Sequence, residues 1–566
     1  FWLKPSGSSN SRSIMPTGLF SACRNKLPRP RWLPLSSRSV AFFLKWFYFY
    51  AICDTGFRWL DTTDWYRDES AGGLLPVSDL PHKAMFHKIW FYPWTAVPHF
   101  CFVATLGTEI VLFAGVRSRC LVFVLYVSLA SMQAQSQATH NGGDKIVRHL
   151  LFWIYFLPRE GAGARASLGP PTPKDTVLRS PATTGILLQM LLVYWSLFFQ
   201  RLAYDDWRPP NLSATYYVLS GPFTHSLGVY VAGRYHQLVP MFTLGAHVCE
   251  FLGPALPLVL PVWSMWRLVP IAMLCAVHVG LMILMRLAGM QPISIICTML
   301  YLPTSFWSHY DAWAAWWSGI WRTVFVRSGW LCCSARHLIC MDCLQKSSCG
   351  FRRCPSATVK DKDLEDGQLF LGTEAESAHA RRVYTCMSAP LRNSVAKLAL
   401  LYMVYKCAAD LHIVPSVDAG NIGETVRLDQ SWVMYTGAGP RSMRWWVIVA
   451  KTEANVTMNA LDFVRTGRWR PVANLSRLLD RPPFPAMLYR NNRWEKFFTT
   501  TPTLSSKARA NRISALGHWL CARAPVAVQE LVFRIRQSKT LPVGSAEHYA
   551  KPATLLQTTV SCDKRW

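Results

Sequence analysis

TTGILLQMLLVYWSLFFQ, Thr183–Gln200, carries no charged side chain over a length close to the roughly 20 residues with which an α-helix crosses a bilayer. That run turns the reading toward a membrane protein, and its neighbours repeat the pattern. Upstream, Ile146–Leu157 is a shorter apolar run, closed by Pro158 and the Gly- and Pro-rich linker PREGAGARASLGPPTPKDTVLRSP (158–181). Before it, Val97–Ala114 and Cys120–Ser136 are joined by the short basic turn GVRSR (115–119), the layout of two antiparallel helices. SVAFFLKWFYFYAIC, Ser39–Cys53, is broken only by Lys45, whose stem can carry its ammonium to an interface. The polar, Gly-Gly- and Pro-containing stretch 61–81 then reads as an external loop. Downstream, Val239–Trp266 and Leu268–Leu284 are long apolar runs, and Pro292–Tyr301 is a short or re-entrant one. The last, VAKLALLYMVYKCAADL (395–411), crosses only if its flanking lysines snorkel.

The expectation is therefore a mainly α protein: a polytopic transmembrane helical bundle of eight or nine spans. Short alternating runs such as RWWVIVAKT (444–452) add a small β-rich extramembrane C-terminal domain. The segments read as a basic N-terminal stretch 1–38, a transmembrane domain 39–310, a Trp- and Cys-rich insertion 311–392, a last apolar segment 393–412, the β-rich domain 413–525 and a basic tail 526–566. Of the 566 residues 51% are apolar and only 16% charged, against roughly 25% in soluble proteins. This excludes a disordered chain or a coiled coil and argues against an ordinary soluble enzyme. The net charge of +28 must sit mostly outside the apolar runs, where it suits a bilayer with anionic lipid. The basic residues build no nucleic-acid-binding module, so no nucleic-acid partner is expected. The N-terminal 38 residues hold seven Lys or Arg and no acid, which fits a targeting segment or a positive-inside flank equally. Cys340 and Cys343 have the gap of a zinc knuckle without a second matching pair, so no metal site is expected.

Ionisable side chains inside apolar runs are the natural site candidates, because each is costly unless it meets a partner or a cavity. They are Glu109, Arg201, His247, Glu250, His278 and Arg286. His247 and Glu250, three apart, share one helix face and either line a cavity or lock two helices together. Arg201 ends the charge-free run, just before Asp205, Asp206 and Trp207, in the pattern of an interfacial ion pair and anchor. HNGGD, His140–Asp144, gathers a histidine, an amide and an acid around Gly142 and Gly143 at a helix mouth. Its N–H groups can hold an anion, and a capping turn explains the same residues.

The order of four strings, HNGGDKIVRHLLFWIYFLP (140–158), LLVYWSLFFQRLAYDDWRPPNLSATYYVLS (191–220), AVHVGLMILMRLAGMQPISIICTMLYLPTSFW (276–307) and LDQSWVMYTGAGP (428–440), resembles the HTTM (horizontally transferred transmembrane) domain family. Vitamin K-dependent gamma-glutamyl carboxylase is related to that family. RWEKFFTT (493–500) and HWLCARA (518–524) extend the resemblance loosely, so that it covers most of 39–524 apart from the insertion. It implies a multi-span chamber closed by a β-rich domain on the lumenal or periplasmic side. In the carboxylase branch it further implies reduced vitamin K or another quinone as cofactor and a glutamate-containing peptide or protein as substrate. That branch uses a lysine base shortly before an Asp-Trp pair; Gln200 and Arg201 occupy the matching place here, one residue off. The branch's Asn-His-Ser pattern is met by Asn141, Gly142 and Gly143, with His140 in front. Arginine keeps its charge in proteins, so Arg201 is expected as a charge stabiliser rather than a base. His140, Asn141 and His278 are then polar lining and proton carriers, with Gly142, Gly143, Asp144, Asp206, Trp207, His247 and Glu250 on the substrate. A carboxylase-like lyase, a non-catalytic HTTM protein that binds or scaffolds, and a transporter all remain open, the last lowered by the absence of an inverted repeat. The chain is read as a multi-pass protein of an endomembrane such as the endoplasmic reticulum, in contact with the lipid bilayer. Asn211, Asn455 and Asn474 begin glycosylation sequons that are used only on the lumenal side.

Overall fold

The computed structural model describes residues 32–66, 74, 97–135, 141–158, 177–287, 289–327, 388–411, 413–415 and 440–562. His140, the 340–343 cysteine pair and nearly all of the 428–440 string lie outside them.

Each apolar run of the sequence forms a helix. These are α1 (Ser37–Trp59), α2 (Pro98–Phe113), α3 (Arg119–Gln135), α4 (Gly142–Phe156) and α5 (Pro181–Arg201). Two short helices, α6 (Ala214–Leu219) and α7 (Ser226–Arg234), lead to α8 (Val239–Val259) and α9 (Leu268–Leu284). After them come α10 (Met290–Thr298), α11 (Thr304–Arg327) and α12 (Ala389–Asp410). The limits have local causes. Ser180 caps α5 by accepting from the Thr183 N–H while the Thr183 hydroxyl group accepts from the Ser180 N–H, and Pro181 occupies the first turn, where its missing donor costs nothing. Val239–Trp266, one run in the sequence, breaks at Leu260, whose extended backbone separates α8 from a 3-10 turn, Met265–Arg267. Arg267 closes that corner by donating to the carbonyls of Pro257 and Leu260.

Three helical stretches are long and apolar enough to cross a membrane: Pro181–Arg201, His236–Val259 and Met265–Leu284. Pro98–Phe113, Arg119–Gln133 and Met290–Tyr301 are apolar but shorter. α5 lies inside the bundle, whereas α8 and α9 turn large side chains outward, among them Met241 at 68% and Ile283 at 54% exposure. A stripe of that size is unfavourable against water.

A two-stranded clasp, β1 (Pro34–Ser36) antiparallel to β2 (Val177–Arg179), ties the start of α1 to the start of α5. The Thr183 hydroxyl group donates to the Leu33 carbonyl at 2.8 Å and strengthens it. Deeper in the bundle, Trp153 of α4, 2% exposed, packs directly against Gly185 of α5, where a Cβ would fall 2.5 Å from the ring. Gly185→Ala is expected to lower stability by about 1–3 kcal/mol, the usual cost of overpacking a filled core. Detergent denaturation of the purified variant beside the parent reads that loss.

The C-terminal domain is a five-stranded antiparallel sheet in the order β5-β4-β3-β6-β7. Its strands are β3 (Ser442–Thr452), β4 (Thr457–Asn459), β5 (Arg470–Pro471), β6 (Val528–Lys539) and β7 (Ala553–Ser561). β3 is buried on both sides. Trp446, Ile448 and Ala450 face the main core, and Met443, Trp445, Val447 and Val449 form a second cluster, as the two-residue period of a strand requires. Helices α13 (Ala460–Thr466), α14 (Asn492–Thr500) and α15 (Ser506–Cys521) pack with it, and a disulfide joins Cys521 to Cys562. The 526–566 stretch, set apart in the sequence as a basic tail, thus carries two strands of the sheet. Its Arg534 and Arg536 are the outward members of an alternation whose inward members, Phe533 and Ile535, are buried.

Candidate functional site

The last turn of α5 brings Arg201 against α8, where its guanidinium forms an ion pair with Glu250. Both side chains are 8% exposed, and the guanidinium also lies over the Trp207 ring, 4.4 Å from its centroid. Trp207 is placed by the 3-10 turn Asp205–Trp207. His247, one helical turn before Glu250, stands edge-on between Phe198 and Trp207, with ring centroids 5.2 and 5.4 Å away. The shared helix face expected of His247 and Glu250 is present, and its occupants differ: Glu250 meets a charge, His247 meets rings.

His278 of α9, 2% exposed, holds the centre of a polar cluster. Its Nε2 is 2.5 Å from the Tyr194 hydroxyl group on α5, and its Nδ1 is 2.5 Å from the side-chain oxygen of Gln291 on α10. A ring bonded at both nitrogens is fixed in orientation. Arg201, Trp207, Glu250, Tyr194, His278 and Gln291 line one chamber of about 390 Å³, whose other walls are mostly Leu, Val, Met and Phe. Four of the residues picked from the sequence meet there.

The glycine-rich mouth falls elsewhere. Asn141 is the N-cap of α4: its side chain accepts from the Asp144 N–H at 3.2 Å, and the Asp144 carboxylate accepts from the Asn141 N–H at 3.0 Å. The capping turn, one of the two readings offered for these residues, is what forms. Gly143 is needed for close approach, since a Cβ would stand 2.9 Å from the Met290 backbone nitrogen of α10. Asp144 is fully committed inside the bundle, ion-paired to Arg58 of α1, which also binds Asp54 at 2.7 Å. Asp206 accepts from Ser213 at 3.1 Å and from Arg441 of the C-terminal domain at 2.7 Å, so it fastens the domain to the helices. Glu109 accepts from the Thr55 hydroxyl group at 2.8 Å, a link between α1 and α2.

Asn141 and Gly142 line a second, larger cavity of about 1100 Å³ between the helices and the C-terminal domain. Leu287 and Met290 belong to the walls of both chambers. In the larger one stand Glu495 and Lys496 of α14, which the sequence reading passed over as part of RWEKFFTT. Glu495 is wholly buried with Arg286 Nε 3.9 Å away, and burial pushes its carboxyl up to about 8. Burial lowers the Lys496 ammonium from its ordinary value. An acid and a base side by side between Trp and Phe were the available signal. Tyr194 and Gln291 were missed for another reason: uncharged polar groups in an apolar run do not stand out until a neighbouring helix brings them a partner.

Among the described residues no group of three or more His, Cys, Asp and Glu side chains is placed to hold a metal ion. The chain matches no family model, no curated protein and no solved structure.

Proposed function

We propose that the chain is a multi-pass integral membrane protein of the HTTM kind, whose chamber among α5, α8, α9 and α10 receives the ring of a quinone or of a similarly shaped lipid. The observation that supports it most is the Tyr194–His278–Gln291 cluster inside an otherwise apolar chamber. Few convergent polar groups within apolar walls are what a flat ring with polar oxygens at its edge needs. A bound quinone would supply reversible electron transfer. The chain's own part is to orient the ring by the Gln291 amide nitrogen, a buried donor in the chamber wall that His278 holds in place through the side-chain oxygen, and to keep water out.

The multi-pass reading is supported by the alternation of helix ends. The end of α1, the start of α4 and the ends of α5 and α9 all lie on the side of the C-terminal domain, where Arg493 binds Asp61, Arg58 binds Asp144, Arg441 binds Asp206 and Arg286 donates to the Tyr489 and Arg490 carbonyls. The starts of α1 and α5 and the ends of α4 and α10 lie opposite, where Leu33 meets Thr183, Arg119 donates to the Leu157 carbonyl and Ser39 to the Leu302 carbonyl. With α2, α3, α8 and α12 threaded between, this order is compatible with eight or nine crossings, of which Pro181–Arg201, His236–Val259 and Met265–Leu284 have the length and apolarity to span a bilayer. The far side carries Arg38, Arg117 and Arg119, which suits the cytosol. The domain side, with the Cys521–Cys562 disulfide and exposed Asn455 and Asn474, suits an oxidising lumen such as that of the endoplasmic reticulum.

A non-catalytic role has a specific observation in its favour. The guanidinium at 201 is already held by Glu250 and does not act as a base, so quinone-driven carboxylation of a glutamate-containing peptide lacks its proton acceptor at that place. The test is incubation of the detergent-purified chain with reduced vitamin K, labelled bicarbonate and a glutamate-rich peptide, with Arg201→Lys and His278→Leu beside it. Saturable quinone binding, about tenfold weaker in His278→Leu, with no label in the peptide, is the expected result. Label in the peptide would restore the carboxylase reading, and no saturable binding by folded protein would remove the quinone.

A further inference from the structure

The chamber that holds His278 reaches the outer surface of the bundle. Its wall includes Tyr194, Gln291 and Ser294, none more than 3% exposed, and also Met241 and Phe242 of α8, which are 68% and 43% exposed. A cavity lined by buried polar side chains at one end and by exposed apolar ones at the other opens outward. The opening lies between α8 and α9, an antiparallel pair. Near their corner the two helices touch: a Cβ on Gly253 would stand 2.7 Å from the Leu274 side chain, and Arg267 ties the turn to the end of α8. About two helical turns toward the C-terminal domain, they part. Gly245 of α8 and Gly280 of α9 both line the chamber, and nothing lies within 4 Å of the place a Cβ would take on either.

Glycine weakens a helix relative to alanine, and no close neighbour calls for it at either position. What the two glycines keep clear is a gap. The side chains beside it, Leu244, Val279 and Ile283, are large, apolar and exposed. Such a border is unfavourable against water and at home against lipid tails. At the inner end, Gln291 Nε2 is buried and has no hydrogen-bond partner, while the oxygen of the same amide is engaged by His278. A buried donor of this kind is costly until an acceptor reaches it.

We propose that the chamber is loaded sideways, from within the bilayer, through the gap between α8 and α9. The entrant is a lipid whose carbonyl oxygen accepts from Gln291 Nε2 while its hydrocarbon chain trails out past Gly280 and Gly245, over Met241 and Phe242. This route rests on the reading that sets α8 and α9 in a bilayer around a ligand chamber, and it holds for a quinone or for another lipid with such an oxygen. While the chamber is empty, acyl chains of the surrounding lipid take the same path.

The test uses the full chain in phosphatidylcholine nanodiscs doped with a phosphatidylcholine that carries a diazirine at the end of one acyl chain. After irradiation, mass mapping is expected to find adducts on Tyr194, Gln291 or Ser294, and saturating phylloquinone should suppress them. Gly245→Leu with Gly280→Leu fills the gap, so these buried adducts should be lost while those on exposed Ile283 stay. Association of phylloquinone in the same nanodiscs should be about tenfold slower in the double variant. If that variant does not fold, Gly280→Leu alone carries the same expectation. Adducts on Ile283 with none on the three buried side chains, or buried adducts undiminished in a folded variant, overturn the route. Buried adducts that vanish in the variant, without saturable phylloquinone binding by the parent, uphold the route and remove the quinone. No adduct even on Ile283 overturns the bilayer placement of α9 and the route with it.

Discussion

Arg201→Met is expected to cost about 3–5 kcal/mol of stability, the range for removing one partner of a buried ion pair. The loss comes less from the missing attraction than from the Glu250 carboxylate left in an apolar chamber without a counter-charge. Arg201→Met with Glu250→Leu should recover most of it, because two apolar side chains of similar volume replace the pair without stranding a charge. Unfolding of the three proteins by sodium dodecyl sulfate in mixed micelles measures this. A double variant no better than the single one would mean that the pair does more than neutralise itself, and that either group touches the ligand. If the double variant folds and still binds quinone, Arg201 is an architectural residue and His278 the recognition residue.

The second large effect is a pH dependence centred on Glu495. Its carboxyl ordinarily titrates near 4.5 and in the folded domain near 8, because burial disfavours the charge; Arg286, at 3.9 Å, opposes the shift without cancelling it. A folded value above the unfolded one means that the folded state holds its proton longer. The stability contributed is complete below pH 4.5 and is lost as pH rises through 8, at about 1.4 kcal/mol per pH unit between them. Glu495→Gln, neutral at every pH, should match the parent near pH 5 and exceed it by several kcal/mol at pH 8.5. The difference between the two proteins cancels the titration of Lys496 and Tyr489 beside it. Parallel stability curves for parent and variant from pH 5 to 9 would show that Glu495 is ionised in the fold.

The helices were legible because burial in a bundle and burial in lipid select the same side chains. Ser39–Cys53, Thr183–Gln200 and Leu268–Leu284 each fall within a helix of the structure, displaced at the ends by the few residues that capping decides. The strands of 528–561 were hidden by their charges. Counting Arg534, Arg536 and Lys539 describes a basic tail, whereas their alternation with Phe533 and Ile535 describes a strand. Of the site, Arg201, Trp207, Glu250 and His278 could be found because ionisable or interfacial groups are conspicuous in an apolar context. That Asp144 answers to Arg58, 86 residues away, or that Gln291 meets His278 from another helix, is a property of packing that no local spacing encodes.

The sheet carries a consequence for how the molecule is made. β3 pairs along its whole length with β6, from Ser442 opposite Lys539 to Thr452 opposite Val528, so the centre of the domain needs segments some ninety positions apart in synthesis order. Such distant pairing is slow beside helix formation. Helices α1 to α12 emerge first and can pack together before β6 exists. Arg286, Asp61 and Asp206 then wait for Tyr489, Arg493 and Arg441. The large cavity, walled by α1 and α4 on one side and by α14 on the other, is therefore complete only once the domain has docked.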